Sequence, residues 1–294
     1  MQNGGTSTFI TAPDGLRLHA CCYGRRSART PVVCLPGLAR TAADFEALAS
    51  VLSHGGPHSR RVIALDYRGR GLSGYDRNPT NYSLPIELAD VLAAVTALDA
   101  SPAIFVGTSR GGILAMLLAA VRPTAIAGVV LNDIGPVIEP NGLMRIKSYV
   151  GKLPQPRNFE EGAEILRRLF AGQFPKLGPD DWLAGAHRTF KQEKGRLVPT
   201  YDVKLAAAIN GVDAERPIPP LWKEFDALSA RPVMVIRGAN SDILSAETIE
   251  AMRARRVAFE TLEVPDQGHA PLLADADTIA RVGKFVGDCD GSVH

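Results

Sequence analysis

The sequence predicts an α/β fold: a doubly wound, mostly parallel sheet of eight strands, with a helical segment inserted after the sixth. Three observations predict it. Short apolar runs without polar alternation recur near both ends of the chain, as in strands buried on both faces. Helical patterns fall between these runs, the βαβ order of a parallel sheet. The alternation then breaks between about Pro136 and Pro220, where helical patterns occur without a convincing strand.

Thr8 to Cys22 reads as a hairpin, with Asp14-Gly15 as the turn. Pro31 to Leu35 is a buried-strand run ended by Pro36-Gly37, and Arg61 to Leu65 is another. Thr41 to Leu52 carries Phe45, Leu48, Ala49 and Leu52 at helical spacing. A helix starts after Ser83, an expected N-cap, with Pro85 in its first turn and Leu88, Val91, Leu92, Val95 and Leu98 on its apolar face. Strand 103–106, helix 111–120 and strand 126–131 follow. After the inserted segment come strand 233–236, helix 246–255, strand 258–264 and helix 276–286. Within the insertion, Glu161 to Phe170 and Tyr201 to Ile209 read as helices, the latter stopped by Asn210-Gly211. This divides the chain into a core of residues 1–135 and 221–294 and a helical cap of residues 136–220.

Composition narrows the function. At 294 residues the chain can bury a core without disulfides. Lys and Arg nearly cancel Asp and Glu, for a net charge of +2, and neither sign forms a long block. Arg25-Arg26 and Arg60-Arg61 are only short pairs, so no nucleic-acid partner is expected. The polar start from Met1 to Thr8 lacks the order of a secretory signal. The longest apolar stretch, Ile113 to Val121, is too short to span a bilayer, and no membrane partner is expected. Cys21, Cys22, Cys34 and Cys289 match no metal or redox spacing. Free thiols and a cytoplasmic location follow, with the protein a monomer or homodimer.

Gly107-Thr108-Ser109-Arg110-Gly111-Gly112 falls where a buried strand turns into a helix. A tight turn there lifts the serine hydroxyl above the sheet, and the glycines let the chain bend without Cβ clashes. The helix N-terminus then favours a developing oxyanion. Leu35-Pro36-Gly37-Leu38 follows an early strand, and Asp66-Tyr67-Arg68-Gly69-Arg70-Gly71-Leu72-Ser73 follows the next. Gly268-His269 lies near the C-terminus.

With these motifs the chain resembles the α/β-hydrolase fold family over nearly its whole core, on the esterase- and lipase-like side. The resemblance implies Ser109 as nucleophile and the backbone N–H groups of Leu38 and Arg110 as the oxyanion hole. Where many relatives have His-Gly, this chain has Pro36-Gly37, which removes a side chain that often braces that loop. The Arg110 side chain reaches either the oxyanion loop or solvent. Asp66 to Ser73 reads as scaffold.

A serine needs a base within hydrogen-bond reach. His19 falls in the hairpin, His54 and His58 flank a loop, His187 lies in the insertion, and His294 is terminal. Only His269 follows a late core strand. For the orienting acid, Asp242 follows strand 233–236 and gives the order Ser109, Asp242, His269 expected of the fold. Asp133, after strand 126–131, is the alternative acid. Asp266 reads as a solvated loop residue.

The expected activity is hydrolysis of carboxylic esters of small to medium hydrophobic substrates through an acyl-enzyme on Ser109, with no cofactor and no metal. Met144, Ile146, Tyr149, Phe170, Trp182, Phe190, Tyr201 and Trp222 are candidates to line the pocket; each can instead pack the insertion's own core. A serine nucleophile argues against haloalkane dehalogenase and epoxide hydrolase chemistry. Carbon–carbon hydrolysis of ring-cleavage products, lactonase, amidase or perhydrolase activity stand as alternatives. So does a non-catalytic ligand-binding protein on the same scaffold.

Overall fold

The computed structural model describes residues 4–54, 59–213, 218–256 and 259–292. Of the sequence readings, Met1 to Asn3, Gly55 to His58, Pro217, Ala258 and His294 lie outside them.

The core is an eight-stranded sheet in the order β1-β2-β4-β3-β5-β6-β9-β10. Its strands are β1 (Thr6–Thr11), β2 (Arg17–Tyr23), β3 (Val32–Leu35), β4 (Val62–Asp66), β5 (Ala103–Thr108), β6 (Ile126–Asn132), β9 (Val233–Gly238) and β10 (Phe259–Val264). β1 pairs antiparallel with β2, and β2 antiparallel with β4; the other pairs are parallel. The fold class is therefore the one expected from the continuous apolar runs.

Successive residues of each buried strand face opposite layers, which is why these strands show no polar alternation. Val33, Leu35, Ile63, Leu65, Phe105, Val129 and Leu131 pack with α2 (Leu84–Ala97), α3 (Arg110–Val121) and α8 (Ala246–Ala254) through Val91, Val95, Leu114, Leu118 and Met252. Their neighbours Val32, Cys34, Val62, Ala64, Ile104, Val106 and Val130 pack on the other side. There they meet Leu48 and Leu52 of α1 (Glu46–His54) and Val282, Phe285 and Val286 of α9 (Ala276–Cys289). Ser83 precedes α2 in an extended conformation, but its side chain makes no capping hydrogen bond.

Between β6 and β9 lie α4 (Pro140–Tyr149), α5 (Phe159–Phe170), α6 (Pro179–Thr189) and the short α7 (Trp222–Asp226). The segment also holds a hairpin, β7 (Phe190–Glu193) and β8 (Arg196–Pro199), that the sequence reading lacks. Its turn is Lys194-Gly195, both at positive φ. Val203–Ile209 winds as a 3-10 helix rather than an α-helix, started by Asp202, whose side chain accepts from Lys204 N. Leu166, Phe174, Trp182, Ala186, Phe190 and Leu197 form a separate apolar cluster here.

The chain order reverses at β3, which lies between β4 and β5. Ligand sites of open parallel sheets form at the carboxyl ends of the strands beside such a reversal. The ends of β3, β5 and β6 carry Leu35, Thr108 and Asn132 to that edge.

Candidate active site

Ser109 joins β5 to α3 at φ 51° and ψ −114°. A non-glycine residue in this region costs on the order of 1–3 kcal/mol and persists only where its surroundings enforce it. The enforcement is visible. A Cβ on Gly107 would lie 2.5 Å from the backbone of Gly111 and Gly112, and one on Gly111 would collide with the Leu35 carbonyl oxygen. Ser109 N–H donates to Asn132 O at 3.0 Å, which ties the turn to β6.

The serine hydroxyl meets His269 Nε2 at 2.9 Å. His269 Nδ1 meets Asp133 Oδ2 at 2.8 Å. A carboxylate only accepts, so Nδ1 carries the proton and Nε2 is left to accept from Ser109. Asp133 is fully buried, at φ 55°, directly after β6. Its Oδ1 accepts from Gly238 N–H at 2.9 Å and its Oδ2 also accepts from the Ser241 hydroxyl at 2.6 Å. Those bonds compensate a charge that would be costly if buried bare.

Asp242 is therefore not the partner of His269. It forms a two-pronged ion pair with Arg145 of α4, at 2.6 and 2.8 Å. Burial pushes its carboxyl up, but hydrogen bonds from Arg145 and Gln173 outweigh this and hold it below the ordinary value. The physical reason is the turn after β9. Ser241 points inward to Asp133, and its oxygen also accepts from Ile243 N–H and Leu244 N–H. Asp242 is thereby turned towards α4.

Arg110 is the first residue of α3, so its N–H has no partner within the helix. Its side chain is buried. Nε donates to Glu87 Oε2 at 2.5 Å and Nη2 to Tyr82 O at 3.3 Å. The other oxygen of Glu87 accepts from Arg70 Nη1 at 2.6 Å, and Arg70 Nε donates to Leu38 O at 2.8 Å. One buried carboxylate thus holds Arg110 directly and Leu38 through Arg70. Burial pushes the Glu87 carboxyl up, but the two guanidinium groups win and hold it below its ordinary value. Sequence reading missed Glu87. Its signal was a charged residue on the apolar stripe Leu84, Leu88, Val91 of α2.

Two further residues escaped notice. Asn132 Nδ2 donates to Thr108 Oγ1 at 3.0 Å and to Pro271 O at 2.9 Å, linking the serine turn to the histidine loop. Gln173 Oε1 accepts from His269 N–H at 3.2 Å.

Ser109 and His269 open into a cavity of about 680 Å³. Gly37, Leu38, Ile146, Tyr149, Phe170, Trp182 and Tyr201 are among its lining residues. Three sequence candidates are not. Met144 faces outward on α4, 38% exposed. Phe190 is buried in the cluster of the inserted segment. Trp222 packs edge-on against Phe225 beneath the Arg255 guanidinium. Among the described residues no group of three or more His, Cys, Asp or Glu could hold a metal ion. No helix among them is long and apolar enough to cross a membrane.

Residues 32–282 match the model of the alpha/beta hydrolase family. The chain belongs to that family. It is 33% identical over 287 residues to the 3-hydroxybutyrate-oligomer hydrolase of Cupriavidus necator, covering 94% of this chain and 96% of that protein. It is 26% identical over 234 residues to the 2-(acetamidomethylene)succinate hydrolase of Mesorhizobium japonicum, with 79% of each chain covered. The crystal structure of an alpha/beta hydrolase from Novosphingobium aromaticivorans superposes with a TM-score of 0.90 at 38% identity, covering 98% and 99% of the two chains. The relatives are hydrolases, and hydrolase chemistry is the activity this family member shares with them.

Proposed function

We propose that the protein is a serine esterase that works through an acyl-enzyme on Ser109. The continuous chain from Ser109 through His269 to Asp133, set on a strained turn at the mouth of a helix, carries this reading. His269 takes the Ser109 proton as the oxygen bonds to the ester carbonyl carbon. The N–H groups of Leu38 and Arg110 receive the oxyanion. The ester C–O bond then breaks, and His269 gives its proton to the departing alcohol. Water adds to the acyl carbon by the same route and releases the acid. Asp133 keeps the imidazole in the tautomer that accepts from Ser109. The reaction needs no cofactor or metal.

The residues from 136 to 220 act as the cap that selects the substrate, with Ile146, Tyr149, Phe170, Trp182 and Tyr201 supporting an apolar acyl or alcohol chain of small to medium size. Similarity to the 3-hydroxybutyrate-oligomer hydrolase over nearly the whole chain makes esters of short hydroxy acids the first natural substrates to assay. The four free thiols support a cytoplasmic enzyme, a monomer or homodimer.

The test is hydrolysis of 4-nitrophenyl butyrate, followed for an initial burst of nitrophenol equal to the enzyme present. A burst followed by steady turnover, with acyl-enzyme trapped on Ser109, is the expected result. No ester turnover, with cleavage of a vinylogous diketone instead, would move the reading to carbon–carbon hydrolysis.

A further inference from the structure

One cation in the cavity wall lacks a full partner. Arg40 and Arg188 both line the cavity and both approach the Asp44 carboxylate. Arg40 takes it with two hydrogen bonds, Nε to Oδ2 at 2.7 Å and Nη2 to Oδ1 at 2.6 Å, and gives its Nη1 to Thr189 Oγ1 at 3.1 Å. Arg188, near the end of α6, stands 3.7 Å from Asp44 Oδ1, beyond hydrogen-bond reach. That is its one ion pair among the described residues. Its side chain is 32% exposed, so bulk water does not solvate it fully. Burial pushes this guanidinium below its ordinary value, Asp44 opposes that, Arg40 adds to it, and Glu46 and Asp181 oppose it more weakly.

The position relates it to the reacting serine. A Cβ built on Gly37 would lie 3.4 Å from Arg40 Cγ and 3.8 Å from Ser109 Cβ. The row Arg40, Asp44, Arg188 therefore starts beside Ser109 and continues along the wall. Apolar side chains such as Leu166 and Trp182 line the same cavity. A guanidinium with open donors in a partly apolar cavity wall accepts a planar oxyanion by paired N–H bonds. The nearby acids set its charge. Asp44, Glu46 and Asp181 also line the cavity and outnumber Arg40 and Arg188, so repulsion grows with each charge on the ligand and the least charged anion that can engage the guanidinium is favoured. A monoanion suits the site, and a carboxylate is the monoanion that matches the fork.

We propose that Arg188 binds a free carboxylate at the non-reacting end of the substrate, so that this protein hydrolyses acidic esters in preference to neutral ones. This rests on the ester-hydrolase reading and names its substrate class.

The experiment compares the linear dimer of 3-hydroxybutyrate with its methyl ester, which differs only in the masked carboxylate, alongside 4-nitrophenyl butyrate. The ratio of kcat/KM for the two dimers is read on one enzyme sample, so it does not depend on how much of a variant is folded. The expected ratio is about tenfold or more in favour of the free acid, the scale of a charge-assisted hydrogen bond. Arg188→Gln should bring it to within about twofold of one, and Arg188→Lys should retain part of it. A ratio near one in the unaltered protein, or an unchanged ratio in Arg188→Gln, overturns the inference. So does turnover of 4-nitrophenyl butyrate with neither dimer cleaved, and in all three cases the esterase reading stands. Loss of all three activities with Ser109 inert to a fluorophosphonate is the distinct failure of that reading.

Discussion

Ser109–His269–Asp133 and Ser7–His19–Asp66 are made of the same three side chains at nearly the same distances. In the first the hydrogen bonds are 2.9 and 2.8 Å; in the second they are 3.0 and 2.7 Å. Their surroundings differ. Ser109 occupies a forced turn ahead of α3 and lines the large cavity. Ser7 sits in β1, opposite Cys21 in a regular antiparallel ladder. The small cavity beside His19 and Asp66 is about 10 Å³, too small for a substrate. Asp66 also accepts from Ala42 N–H at 2.7 Å and Leu72 N–H at 3.1 Å, so it braces two loops. A serine, a histidine and an aspartate in line are thus a common way to satisfy buried polar groups. They become a reaction centre only with open space for an electrophile and N–H groups facing it.

Substitution at the two serines should give the widest contrast. Ser109→Ala should lower kcat by about 10⁵- to 10⁶-fold, as loss of a triad nucleophile does. Ser7→Ala should leave kcat within twofold, in the same steady-state assay. Next come the acids. Asp133→Asn should lower kcat by roughly 10⁴-fold by favouring the wrong imidazole tautomer, whereas Asp242→Asn should stay within several-fold. Equal losses for these two would break the assignment of Asp133.

Glu87→Gln should cost kcat about 10²-fold with a smaller change in KM, because it loosens Arg110 and Leu38 together. It should also alter acid stability. The Glu87 carboxyl is held below its ordinary value of 4.5, so its contribution is complete above that value and drains as pH falls through the depressed one. Urea denaturation should show wild type losing stability below pH 4.5 more steeply than Glu87→Gln. The smallest effect is expected in the second constellation. Asp66→Asn should lower stability by ~1–3 kcal/mol, with kcat per folded molecule unchanged.

Ser109 and His269 were legible in the sequence because their signals are local. A glycine-flanked serine between strand and helix dictates its own turn, and only His269 followed a late core strand. The acid was not legible. Asp133 and Asp242 both follow core strands, and chain order permits either. The choice depends on Ser241 turning inward and on Arg145, nearly a hundred residues upstream, capturing Asp242. The Arg110 side chain was equally undecided, since Glu87 lies on a different helix. In the inserted segment, helical periodicity pointed to α5, but Phe190–Glu193 and Arg196–Pro199 are too short and too polar to announce a hairpin. Trp222 and Met144 look alike in composition to Trp182 and Ile146; only packing separates those that line the cavity from those that do not.

The most direct test is to treat the folded protein with a fluorophosphonate and map the adduct by peptide mass spectrometry. One adduct is expected, on Ser109, formed rapidly in the unaltered protein and slowly in Asp133→Asn, with Ser7 unmodified. No adduct on the folded protein, or one on Ser7 at a comparable rate, would contradict it.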